Sequence, residues 1–388
     1  LTLLLRPSGL GLSLQAAGAL AIWICVVLRA PAAIRSYEQR ILWLAVTTAG
    51  LAMTLNLQDI SGAVRDVFGP THLVDLAANL CGVLSSAAVL DFAMVATAKR
   101  WSRRLLYTSA TGVMTVLSFI DLTSGPHGRH LVTSPAGPTP TAVFWWITVA
   151  THLTADTVCV WLLLRHGRHG ASQPLKTMLA LFALGTAFSG AFWSGYLLLL
   201  IGYSSHLPGL LPILMGLHGL LRAAALAIPT FRAATKARTC WHLWPLWREL
   251  VDAVPHIALA KPRPRLVELL WPRGSWRLTE YRKIIEIRDA VLVLRDYITP
   301  QLAQLARGHI GTSAALTPDR AKAALVACLL KEACSARLAG RPPEAQSIGL
   351  TAIGGDDLAE ETEFLLEVAR AYASPLVGSF SAHIARSA

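Results

Sequence analysis

The chain is short of charge. Asp, Glu, Lys and Arg make up 15% of its 388 residues, against about 25% in ordinary soluble domains. Hydrophobic residues reach 54% and the mean hydropathy is +0.49, a balance that excludes a soluble globular protein and requires segments buried in lipid. Cysteine pairs are also lacking. The six cysteines, Cys25, Cys81, Cys159, Cys240, Cys328 and Cys334, form no CxxC motif, which excludes zinc-finger spacing and gives no sign of a disulfide framework. Nor does the C-terminal part carry a glycine-rich phosphate loop, a Walker motif, a histidine-kinase box or a cyclase signature. ATP-driven pumping and phosphorylation by this chain alone are therefore not expected, and no cofactor is assigned.

What the sequence does have is seven apolar runs, at residues 10–28, 41–57, 72–98, 105–122, 141–164, 176–202 and 208–228. Each approaches the roughly 20 residues needed to span a bilayer. The run at 41–57 is the shortest, and Pro229 is expected to close the last. The first run lacks the small-residue cleavage site of a secretory signal and reads as retained. Basic residues crowd alternate loops: Arg29, Arg35 and Arg40; Lys99, Arg100, Arg103 and Arg104; Arg165, Arg168 and Lys176. The other side offers Arg6, Arg65 and Arg129. Cytoplasmic loops accumulate Lys and Arg, so the N-terminus is expected outside and the C-terminal part in the cytoplasm of a cell whose inner (cytoplasmic) membrane holds the protein. The net charge of +12 is thereby explained mostly by topology.

The run at 141–164 is the centre of the pattern, because His152 and Asp156 lie near its middle, four apart on one helix face. A charge at that depth is disfavoured by roughly 2.5 to 3.5 kcal/mol, so Asp156 needs a partner, an ion or a wet cavity. Other polar residues in the runs are Asn79 and Asp91 in the third, and His218 and Arg222 in the seventh. Similar depth makes Asp156 and Arg222 candidate opposite-charge partners, while Asp91 is near enough to its end to reach toward Lys99 and Arg100. Three readings compete for His152, Asp156, His218, Arg222, Asn79 and Asp91: a structural ion-pair and hydrogen-bond network, a ligand or ion pathway, or a metal site built from His152, Asp156 and His218. GLHGLLR supplies HxxxR where HxxxH would favour metal, so no metal and no catalytic residue is assigned.

Three parts are expected: a bundle at 1–229, a Trp-, Arg- and Pro-rich linker at 230–277, and an all-helical domain at 278–388. In the linker Trp241, Trp244 and Trp247 recur every three residues with Arg248 beside them. They are expected to touch the membrane surface or a partner, the alternative being that they belong to the core of the C-terminal domain. Residues 261–277 are expected to be extended or looped. Residues 278–297 carry a helical stripe through Tyr281, Ile284, Ile287 or Arg288, Val291 and Leu294 or Arg295, with Arg282 and Glu286 as an i,i+4 pair. Thr317, Pro318 and Asp319 read as a helix start, with a stop at Gly340. GGDDLAEE at 354–361 could hold Mg2+ if a second acidic motif faced it. None does, and acidic residues suit a helix N-terminus.

The segments LWPLWREL at 243–250, YRKIIEIRDAVLVLRDY at 281–297 and EETEFLLEVARAY at 360–372 resemble those of actinobacterial seven-helix integral membrane proteins. That family carries a C-terminal helical domain of unknown function and is often catalogued as transporters. The resemblance implies an all-α membrane protein with a seven-helix transmembrane bundle and a cytoplasmic helical domain. It carries no functional residue across. The function expected is a membrane sensor or regulatory protein whose helical domain binds a cytoplasmic protein partner, with the lipid bilayer around the bundle and no nucleic acid. The alternatives are a secondary transporter of a small solute and a membrane enzyme acting on a lipid or prenyl substrate.

Overall fold

The computed structural model describes residues 7–34, 37–68, 72–97, 102–125, 127–133, 137–166, 172–203, 207–312, 316–343 and 357–387. Among them every regular element is a helix, and extended backbone pairs only at an isolated antiparallel bridge between Leu131 and Thr139. Two compact units result, Leu1–Phe231 and Arg232–Ala388.

The first unit holds α1 (Pro7–Ala33), α2 (Tyr37–Leu55), α3 (Gln58–Phe68), α4 (Leu73–Ala96), α5 (Arg103–Thr123), α6 (Ala142–His166), α7 (Gln173–Leu200) and the first part of α8 (Leu207–Ala253). Six of these helices are long and apolar enough to cross a membrane. The count becomes seven if α2 and α3, bent by 79° at their junction, form one span. The short run at 41–57 is where that bend falls. Asn56 turns its side-chain amide back onto the Ala52 carbonyl at 2.8 Å, and the polar pair Gln58 and Asp59 opens α3 in a new direction. Helix α2 packs against α1 and α4, and α6 against α4, α5 and α7. Helix α5 turns Leu105, Phe119 and Leu122 outward, an apolar face suited to lipid.

Helices α1 and α8 cross where small residues let their backbones meet. A Cβ placed on Gly216 would lie 2.6 Å from the Leu14 carbonyl carbon. Close approach through glycine gains dispersion contacts that apolar burial cannot supply inside lipid.

Pro229 does not end the last span. Helix α8 continues through Pro229 and Pro245 to Ala253. An interior proline disfavours a helix by about 3 kcal/mol. Packing on either side offsets this: Ala225 and Leu226 are buried in the first unit, and Leu243, Leu246, Trp247 and Leu250 in the core of the second. The stretch expected as a linker therefore supplies core residues.

The second unit adds α9 (Arg265–Leu270), α10 (Trp276–Leu294), α11 (Pro300–Gly311), α12 (Pro318–Leu338), α13 (Leu358–Tyr372) and α14 (Pro375–Ser387). Helix α9 lies inside the segment expected to be extended. The stripe on α10 buries Ile284, Ile287, Val291 and Leu294, while Tyr281 stays exposed. Helix α12 begins after Thr317 with Pro318 in its first turn, and Gly340 beyond its end has φ +72°, a left-handed conformation that glycine adopts without a Cβ clash. Asp357 caps α13 by accepting from the Ala359 N–H at 3.2 Å. Asp356 of the acidic motif lies outside the described residues, as do Arg6, Arg35, Lys99, Arg100 and Arg168.

Candidate functional site

Two polar clusters sit inside the first unit. The midspan cluster draws on four helices. His152 and Asp156 come from one face of α6, Ser86 from α4, Thr186, Ser189 and Trp193 from α7, and His218 and Arg222 from α8. His152 Nδ1 pairs with Ser86 Oγ at 2.8 Å, and its ring stacks on Trp193 with centroids 3.9 Å apart. Gly82 makes room, since a Cβ there would stand 3.2 Å from the imidazole. His218 Nδ1 donates to the Gly185 carbonyl at 2.9 Å. Arg222 lies over Phe182 at 5.2 Å and reaches Thr186 Oγ1 only at 3.5 Å.

All four ionisable side chains are buried, yet His152 Nε2, Asp156 Oδ2 and Arg222 Nε have no hydrogen-bond partner. Asp156 and Arg222 are near enough for their charges to interact, but no direct ion pair closes between them. Buried polar groups are ordinarily satisfied. An aggregate of opposite charges with spare donors and acceptors can accept a polar ligand or pass a proton without rebuilding the fold.

Asp91 and Asn79 lie elsewhere. Asp91 is fully buried, where Arg103 Nε donates to it at 3.1 Å and the Tyr107 hydroxyl at 3.1 Å. It is thus tied to the start of α5. Asn79 donates to the Asp75 carbonyl at 2.8 Å and lies 3.5 Å from His130 Nδ1, which makes it part of the second cluster.

That second cluster gathers at the start of α4 and the end of α5. Asp121, fully buried on the last turn of α5, receives three imidazoles: His72 Nδ1 at 2.7 Å, His127 Nε2 at 3.1 Å and His130 Nε2 at 2.6 Å. The donor atoms of all four residues lie within 4.8 Å of one another. The loop that brings His127 and His130 back is pinned by the Leu131 to Thr139 bridge. Thr139 Oγ1 also donates to the Arg129 carbonyl at 2.7 Å, and Trp145 Nε1 to the Thr139 carbonyl at 2.9 Å. His130 packs edge-on against Phe144 at 5.0 Å, and its backbone N–H donates to Asp75 at 3.0 Å. Burial holds His130 below the ordinary histidine range, opposed by Asp121 and Asp75. Three imidazoles and one carboxylate are a donor set able to hold a metal ion.

His72, Asp121, His127 and His130 did not stand out in the sequence pattern. The available signal was HGRH at 127–130, six residues after Asp121, inside a loop that composition describes only as rich in Gly, Pro, Ser and Thr. His72 is too remote in sequence to be joined to it without the fold.

In the second unit the tryptophans of α8 face inward to different degrees. Trp247 is buried and donates through Nε1 to Glu286 Oε2 at 2.6 Å. Lys283 Nζ lies 3.4 Å from the Trp247 ring centroid and 3.0 Å from Glu268. Burial draws Lys283 below its ordinary value, with Glu268 opposing. Glu286 also accepts from the Leu259 N–H at 3.1 Å and so serves α8 in place of the expected pairing with Arg282. Trp244 is half-buried against the same core. Trp241 is half-buried with the Arg265 guanidinium 3.6 Å over its ring, and Arg248 pairs with Asp252 at 3.0 Å on the surface.

This second unit is what the comparisons recognise. Residues 232–374 match a family of unknown function, DUF6545. No curated protein and no solved structure matches the chain. The DUF6545 region thus begins where the second unit begins, at Arg232, and includes the whole Trp247, Lys283 and Glu286 network.

Proposed function

We propose that the protein is a multi-pass membrane sensor or regulatory protein: the midspan cluster receives a polar ligand or proton, and the DUF6545 region binds a protein partner in the cytoplasm. The observation that carries this reading is the set of unpartnered atoms on His152, Asp156 and Arg222. They offer a donor, an acceptor and opposite charges at one depth. The second unit has a hydrophobic core of its own, which supports a distinct binding role for that region. The positive loops support an orientation with the N-terminus outside and the DUF6545 region inside, with the bilayer as the bundle's other partner.

Transport of a small solute is the second reading, favoured by the same midspan charges and by the resemblance to seven-helix proteins catalogued as transporters. An enzyme acting on lipid or prenyl substrates is a more distant third. Native mass spectrometry of the full-length protein from its host membranes separates them, when compared with a chain ending at Thr235. A stoichiometric protein partner that is lost with residues 236–388 supports regulation. A small molecule retained by both chains, with no protein partner on either, overturns it in favour of transport or catalysis.

A further inference from the structure

We infer that His72, Asp121, His127 and His130 form a binding site for one transition-metal dication of the zinc class, distinct from the midspan cluster and independent of the sensor reading. The donor set selects the class of ion. Three imidazoles with a single carboxylate suit Zn2+ and its neighbours, whereas Ca2+ and Mg2+ require mostly oxygen ligands. Four protein donors also match the closed, four-coordinate form of a structural or regulatory site, with no place kept for a reacting water.

Hydrogen-bond roles supply an independent reason. His127 Nδ1 faces the Gly125 carbonyl at 2.9 Å and Nε2 faces Asp121 Oδ1 at 3.1 Å. Both neighbours are acceptors. A neutral imidazole has only one N–H, so both contacts are satisfied either by an imidazolium or by a cation beside one ring nitrogen. With Nδ1–H donated to Gly125, a cation between Nε2 and Asp121 satisfies both, and the carbonyl becomes the partner that fixes the tautomer of a metal-bound histidine.

The distances suit a site that tightens on loading. A tetrahedron with bonds of about 2.0 Å has edges of roughly 3.3 Å. His72 Nδ1, His127 Nε2 and His130 Nε2 already stand 2.6 to 3.1 Å from the carboxylate, so small ring rotations suffice to separate the closest pairs and draw in the rest. Loading would fasten the start of α4, the end of α5 and the intervening loop to one point.

The test uses full-length protein in detergent, purified without a histidine tag, stripped with chelator, equilibrated with Zn2+ and desalted before elemental analysis. The expected result is one zinc per chain, and Co2+ in its place should give the intense visible bands of a tetrahedral site. His127→Gln combined with His130→Gln should lose the metal, while His152→Ala should keep it. If the double variant is not monodisperse, His72→Asn serves instead, with zinc affinity falling about 10- to 100-fold or more in a chelator competition. Failure of the wild type to retain zinc overturns the assignment. So does full retention in the double variant, or loss in His152→Ala, which would place the metal at midspan.

Discussion

Buried charge is partnered differently in the second unit and at midspan. In the second unit Lys283 lies 3.0 Å from Glu268, Lys236 2.7 Å from Glu280 and Arg288 2.9 Å from Glu361, while Glu286 accepts from Trp247 and Leu259. In the middle of the bundle Asp156 and Arg222 share a neighbourhood without closing a pair. A buried charge with its partner in place is structure, and removing the partner leaves an uncompensated ion. Buried groups with capacity to spare are poorly explained as structure and well placed for binding. The comparison therefore sets closed charge pairs in the second unit, where Arg265 Nε and Glu280 Oε1 also lack a hydrogen bond, against a midspan group in which His152, Asp156 and Arg222 all keep an unpartnered atom.

The largest expected effect is Glu286→Ala, which strips the acceptor from the Trp247 and Leu259 N–H groups and a countercharge from Lys283. It should destabilise the second unit by about 3 to 5 kcal/mol, read by chemical unfolding of the full-length protein with tryptophan fluorescence. Gly216→Val comes next. It wedges a side chain into the α1 backbone and should cost about 1 to 3 kcal/mol, seen as a lower unfolding midpoint of the bundle in detergent. A smaller effect is expected from pH acting on Lys283. Its folded value lies below the ordinary 10.5, so the unfolded chain binds more protons between the two values and stability must rise with pH across that window. Lys283→Met should remove this slope from matched unfolding curves, and an unchanged slope would contradict the assignment. Least of all, Asp156→Asn should change bundle stability by less than Glu286→Ala changes the second unit, since it breaks no hydrogen-bonded ion pair to a neighbouring cation. A loss as large as that of Glu286→Ala would make Asp156 structural and erase the distinction between the units.

Much of the fold could be read from local pattern. Apart from the run at 41–57 and the end of α8, which continues to Ala253, the apolar runs mark the candidate spans within about five residues, because lipid forces backbone hydrogen bonds inside each segment, and the α10 stripe includes four core residues. What could not be read depended on tertiary context. Pro229 and Pro245 look like stops, but packing of Leu226 on one side and Leu243 on the other carries α8 through both. Trp247 looks like an interfacial anchor until Glu286, distant in sequence, is seen to accept its N–H. At midspan the i,i+4 spacing was enough to place His152 with Asp156, and His218 with Arg222. The His72, Asp121, His127 and His130 cluster was hidden because its members come from two helix ends and a loop, and only the fold brings them to one point.

The central claim is that the available charge at midspan is coupled to the DUF6545 region. The most direct measurement is hydrogen–deuterium exchange on full-length protein from its host membranes, wild type against Asp156→Asn, with peptides covering both units. Coupling predicts altered protection in peptides of α6 to α8 and also in α10, α12 or α13 of the second unit. A change confined to peptides around residue 156, with the second unit unaltered, would contradict it.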